Sequence, residues 1–92
     1  MSSKRTNNEP GNAEALALAA LAATLTDERR ARRFLDLTGL DVDELRVRAG
    51  ERPLLAALLS FLAAHEPDLL AVAQTIEIEP QKLILAWSEL NR

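Results

Sequence analysis

Between Pro53 and Ala64 the chain reads PLLAALLSFLAA, and Ser60 supplies its only side-chain hydrogen-bonding group. A helix that is apolar on every side has to be surrounded. Twelve residues span about 18 Å as a helix, short of the roughly 20 residues needed to cross a bilayer, so the surround is expected to be protein. The flanking segments keep a helical period. A first helix is expected over Ala13–Leu25, capped by Asn12, with Leu18, Leu21 and Leu25 on one buried face. Thr26 or Asp27 caps a second helix reaching about Leu37, with Ala31, Phe34, Leu35 and Thr38 inward and Gly39 at its C-terminal turn. Leu40 plugs that turn. Asp41 and Glu44 form a capping box for a short third helix ending at Gly50, with Leu45 and Ala49 inward. After the central helix, Pro67 opens a fifth helix to about Ile76, with Leu69, Val72, Ala73 and Ile76 inward. Glu79 and Pro80 open the last, which carries the stripe Leu83, Ile84, Trp87 and Leu90.

The two halves repeat each other at an offset of 38 positions. Leu16, Ala19, Leu21, Glu28 and Leu45 then fall on the identical Leu54, Ala57, Leu59, Glu66 and Leu83, while Leu40 and Asp41 fall on Ile78 and Glu79. The expected fold is therefore all-α: a compact bundle of five to six short helices, built as two pseudo-repeated three-helix units with helix-turn-helix-like corners. Residues 1–11, MSSKRTNNEPG, have no apolar residue after the initiator and are expected to form a disordered tail before a single domain over 12–92.

Composition agrees with this picture. Leu and Ala, strong helix formers, supply most of the 48% hydrophobic fraction. The absence of cysteine excludes disulfides, thiolate metal sites and a Cys nucleophile, and a lone His65 cannot make a multi-histidine metal site. Only Phe34, Phe61 and Trp87 are aromatic, too few for a base-stacking platform. Lys4 and Arg5 before the run Ala15–Leu25 resemble the start of a signal peptide, but Glu9 and Glu14 break that pattern, so a cytoplasmic protein with no membrane association is expected.

Candidate chemistry is sparse. A DNA-reading corner would use Gln81 and Lys82, yet Glu77 and Glu79 share that turn, and from Pro53 onward two bases face five acids, the wrong sign for a phosphate surface. Arg29, Arg30, Arg32 and Arg33 form a second candidate, able to hold phosphate or an acidic partner. Asp27–Arg52 contains seven arginines and seven acids, and Glu28–Arg32 and Arg32–Asp36 are expected to pair along the helix surface. His65 beside Glu66 reads as a surface turn histidine, and neither Ser60 nor Thr75 sits in a nucleophile motif. The expectation is a non-enzymatic module with no cofactor and no metal, binding an unidentified protein partner or a second copy of itself. Nucleic-acid binding through the corner or the Arg29–Arg33 cluster is the alternative. Leu83 to Trp87 is more consecutive apolar surface than one helix face buries, so Leu85 and Trp87, with Arg29, Arg32 and Arg33, are the candidate partner-binding residues.

The FLDLTGL turn at Phe34–Leu40, with Leu45 and Arg46 following, resembles a family of short uncharacterised bacterial proteins classed as a domain of unknown function. The resemblance extends over roughly Ala13 to Trp87. It implies a small helical domain, assigns no activity and transfers no functional residue. The family pattern favours Gly where this chain has Glu77, so the second turn is expected to be built differently from the first.

Overall fold

The computed structural model describes residues 11–92; the expected tail lies outside the described residues except for Gly11. The helices are α1 (Gly11–Leu25), α2 (Glu28–Thr38), α3 (Val42–Arg48), α4 (Arg52–Ala63), α5 (Glu66–Thr75) and α6 (Pro80–Leu90), with no strand among the described residues. The fold is an all-α bundle. Because α1 already begins at Gly11, Asn12 lies inside its first turn and is not the N-cap.

Local chemistry sets most of the other boundaries. Asp27 accepts a hydrogen bond from the Arg30 N–H at 3.0 Å and starts α2. In the capping box of α3, the Glu44 N–H donates to Asp41 Oδ1 at 2.8 Å and the Asp41 N–H donates to Glu44 Oε1 at 3.1 Å. Pro53, Pro67 and Pro80 each stand in the first turn of a helix, where the missing N–H costs nothing.

Gly39 ends α2 at φ 75°, its N–H donating to Leu35 O at 2.8 Å. The second turn adopts the same left-handed conformation, with Glu77 at φ 59°. The expectation of a differently built turn is thus corrected for the backbone. Only the hydrogen bonding differs: the Ile78 N–H reaches back to Ala73 O at 3.0 Å, whereas the Leu40 N–H donates to the Thr38 hydroxyl at 3.3 Å. A side chain in this conformation costs about 1 kcal/mol. Glu77→Gly is therefore expected to stabilise the fold by about 0.5–1 kcal/mol, the smaller figure allowing for the freer unfolded glycine, and to raise Tm by a few degrees. A melting temperature that stays level or falls would show that Glu77 carries no strain.

The central helix is surrounded as its composition requires. Leu54, Leu55, Leu58, Leu59, Phe61 and Leu62 are all buried, and no residue from Leu54 to Ala63 is exposed. Around it, α1 and α6 pack on α4 and on each other, α5 lies against all three, and α2 closes on α1 and α4. The face that α1 turns inward is made of small residues: Ala17, Ala20, Ala23 and Thr24, with Leu21. Thr24 is buried without penalty because its hydroxyl donates to Ala20 O at 2.8 Å. Small side chains let the neighbouring helices approach closely. This corrects the expected leucine face, since Leu18 and Leu25 remain 45% and 39% exposed.

The repeat survives in three dimensions. The first residues of α2 and α5, Glu28 and Glu66, are 38 apart, as are those of α3 and α6, Val42 and Pro80, and the two left-handed residues Gly39 and Glu77. Two ion pairs join equivalent positions of the units: Glu14 with Arg52 at 3.1 Å, and Arg30 with Asp68 at 2.9 Å. α1 packs on α5 and α2 on α4, the reciprocal contacts that like units make across a twofold axis. Identical units would set like charge on like at such positions, so the opposite charges favour this pairing within one chain. Equivalence ends at the third helix. α6 has eleven residues and wedges between α1 and α4, whereas α3 has seven and reaches the core mainly through Leu45.

Candidate functional site

The most concentrated polar chemistry is centred on Asp68. Its side chain is only 5% exposed, and it sits in the first turn of α5. Arg30 Nε donates to Oδ1 at 2.9 Å, while Arg33 Nη2 and His65 Nδ1 meet Oδ2, the latter at 2.8 Å. Burial pushes the Asp68 carboxyl up, but the hydrogen bonds from Arg30, His65 and Arg33, together with the Arg33 charge, outweigh it and hold the group below the usual carboxylate range. The Arg33 guanidinium also lies 5.4 Å from the centre of the Phe61 ring, which meets Phe34 edge-on at 5.3 Å. One carboxylate thus ties α2 to α5 over an aromatic pair.

This arrangement corrects the expected self-pairing of α2. Among the described residues no ion pair joins Glu28 to Arg32 or Arg32 to Asp36; Arg30 and Arg33 turn instead toward α5. His65 is solvent-exposed in a turn, yet its partner is Asp68 and not the adjacent Glu66. Nothing in the residues around Asp68 pointed to this. An acid just after a helix-opening proline is what the helix dipole alone would select. The one available signal was its 38-residue offset from Arg30.

The remaining candidates are separated. Arg29 and Arg32 line a shallow depression of about 580 Å³ beside Thr26, Asp27 and Glu28, so two acids stand among the two bases. Asp27 is held below its usual range by the hydrogen bond from the Arg30 backbone, with Arg30 and Arg29 charges adding to it. On α6, Trp87 is half-buried, with its indole N–H donating to Ser60 Oγ at 3.0 Å, whereas Leu85 is 62% exposed. Among the described residues no group of His, Cys, Asp or Glu could hold a metal ion, and no buried side-chain polar atom lacks a partner.

A feature that helical periodicity missed lies between α1 and α3. Leu18, Leu21, Ala22 and Leu25 form one wall of a groove of about 240 Å³; Val42, Leu45 and Ala49 form the other, with Arg46 its single polar residue. Only Leu21 and Leu45 of these are buried. α3 is too short and too peripheral to cover the leucines of α1.

No single helix among the described residues is long and apolar enough to cross a membrane, and α4 with α5 meets that length only as a pair bent by 115°. Comparison with curated proteins and with solved structures finds no match. A family model described as "Protein of unknown function (DUF3572)" matches residues 10–92, nearly the whole chain and all of the bundle. With its FLDLTGL turn, its capping box and its all-α fold inside that match, the chain belongs to the DUF3572 family.

Proposed function

We propose that this protein is a non-catalytic cytoplasmic module that binds another protein through an exposed apolar surface. The observation that carries the reading is the groove between α1 and α3, where Leu18, Leu25 and Val42 stand 45%, 39% and 53% exposed beside one another. Clustered exposed leucines of this kind mark an interaction site more often than isolated ones do. The polar cluster at Asp68 supports the same reading from the other side. Its arginines are engaged with a buried carboxylate, and Arg29 and Arg32, the other two of the Arg29–Arg33 stretch, stand beside Asp27 and Glu28.

The test is capture from native lysate on immobilised full-length chain, followed by reconstitution with the purified captured protein. Saturable, stoichiometric binding is expected, and Leu18→Glu/Val42→Glu should lose it while keeping its helical circular dichroism. Retention of duplex DNA at low salt, weakening steeply as salt rises, would overturn the reading in favour of a nucleic-acid binder acting through the helix-turn-helix-like corner or the arginines.

A further inference from the structure

The solvent face of α3 is complementary to itself. We infer that this face binds a second copy of the chain, the two α3 helices lying antiparallel across a twofold axis, with Asp43 opposite Arg46 of the second copy and Val42 opposite Val47 of the second copy. The contact goes beyond the protein-binding reading above: it shares Val42 and Arg46 with the groove and adds Asp43 and Val47, which do not line it. Leu45, 3% exposed, fixes the side of α3 that meets the core. By the helical period, Asp43, Arg46 and Val47 point away from that side, and Val42 stands at the edge of the same face. All four are open to water. Val42 and Val47 are 53% and 82% exposed, the latter the most exposed large hydrophobic residue among those described, and the side chains of Asp43 and Arg46 are 94% and 77% exposed.

The order of the residues selects the partner. From Asp41 to Arg48 the chain reads DVDELRVR, with acids in the first half, arginines in the second and a valine one place in from each end. An antiparallel copy lays the acidic half over the basic half, so a single register makes the Asp43 to Arg46 pair twice and the Val42 to Val47 contact twice. A parallel copy would set aspartate on aspartate and arginine on arginine, which repel. One surface thus supplies both halves of the contact, as a twofold interface requires. Within one chain the Asp43 to Arg46 pair is loose, at 4.0 Å between groups largely in water, so both can take cross partners at little cost. α3 has this face to offer because its seven residues reach the core mainly through Leu45, which leaves Val42 and Val47 largely uncovered. One short helix per copy buries less than the roughly 1,200 Å² at which standard interfaces begin, so the dimer is weak and forms at high protein concentration.

Sedimentation equilibrium of the full chain is the test. Wild type should show a reversible monomer–dimer equilibrium as its concentration approaches about 1 mM, the range of affinity that so small a contact supplies. Val47→Glu, Asp43→Arg and Arg46→Asp should each weaken the dimer about tenfold or more, because the twofold axis makes every substitution count twice, and each should keep its helical circular dichroism. Mixing Asp43→Arg with Arg46→Asp should restore a dimer of one copy of each, since arginines at both positions then meet aspartates at both. A wild type that stays monomeric up to about 1 mM overturns the inference. A dimer indifferent to all three substitutions places the contact on another surface and overturns it, as does a mixture in which both variants remain monomeric. The protein-binding reading stands or falls separately. A monomeric wild type that captures a partner through the groove overturns only the self-contact, and a dimer that responds to the α3 variants while the chain captures no other protein overturns only that reading.

Discussion

Leu58→Ala is expected to cost about 3–4 kcal/mol and to lower Tm by about 15–25 °C in a domain of this size. Leu58 has no exposed surface at the middle of α4, with Leu54, Leu55 and Leu62 buried on the same helix. Truncation there removes hydrocarbon from a site with helices on every side, so the cavity collapses only partly, and the loss exceeds simple transfer of the missing atoms from protein to water. Total stabilities run from about 5 to 15 kcal/mol, which puts this single change near the limit the fold can bear. Leu85→Ala, at a side chain 62% exposed on α6, should stay within about 0.5 kcal/mol of wild type. Urea titration of the two variants side by side decides the matter. Equal losses would show that α4 is not the centre of the core.

Asp68→Ala is expected to cost about 2–4 kcal/mol, nearly as much, although it removes a polar group. The loss comes from what stays behind. Arg30, with its side chain 16% exposed, keeps its charge with only the more exposed Asp27 carboxylate, 3.8 Å away, to balance it, whereas Arg33 and His65, 44% and 55% exposed, can turn to water and soften the effect. Arg46→Ala breaks an exposed pair at 4.0 Å and should change stability by less than about 0.5 kcal/mol. The acid limb supplies a second signature. The folded-state carboxyl of Asp68 is held below its ordinary value, so the unfolded chain takes up its proton first as pH falls. The stabilisation is complete above the unfolded pKa of about 3.9 and is lost as pH falls through the lower folded value. Unfolding free energies of wild type and Asp68→Asn, measured from pH 5 downward, should therefore converge. A constant gap across that range would mean that the carboxylate's charge contributes nothing.

Helix positions were legible because they rest on short-range chemistry. The hydrogen bonds of Asp27 and of the Asp41–Glu44 box close within three residues, and the prolines act on their own backbone. The burial of α4 was equally legible, since a segment apolar all round has no face that solvent could take. α1 was harder. Its run of Leu and Ala fits several helical faces almost equally well, and the choice between the leucine and the alanine face was made by the close approach of α4 and α6. The groove beside α3 follows from that choice.

By itself, then, the sequence determined the all-α class, the caps of α2 and α3, the central helix and the offset of 38 that relates the two units, because each is encoded in residues near one another or in a pattern that runs the length of the chain. The tertiary structure alone decided which acid Arg30 and Arg33 meet, which way Trp87 turns and which leucines of α1 stay in water. Those outcomes depend on contacts between residues some 27 to 38 positions apart, and a guanidinium or an indole has several chemically equivalent partners at that range. Packing selects among them by geometry, and geometry of that kind is not written in any local pattern.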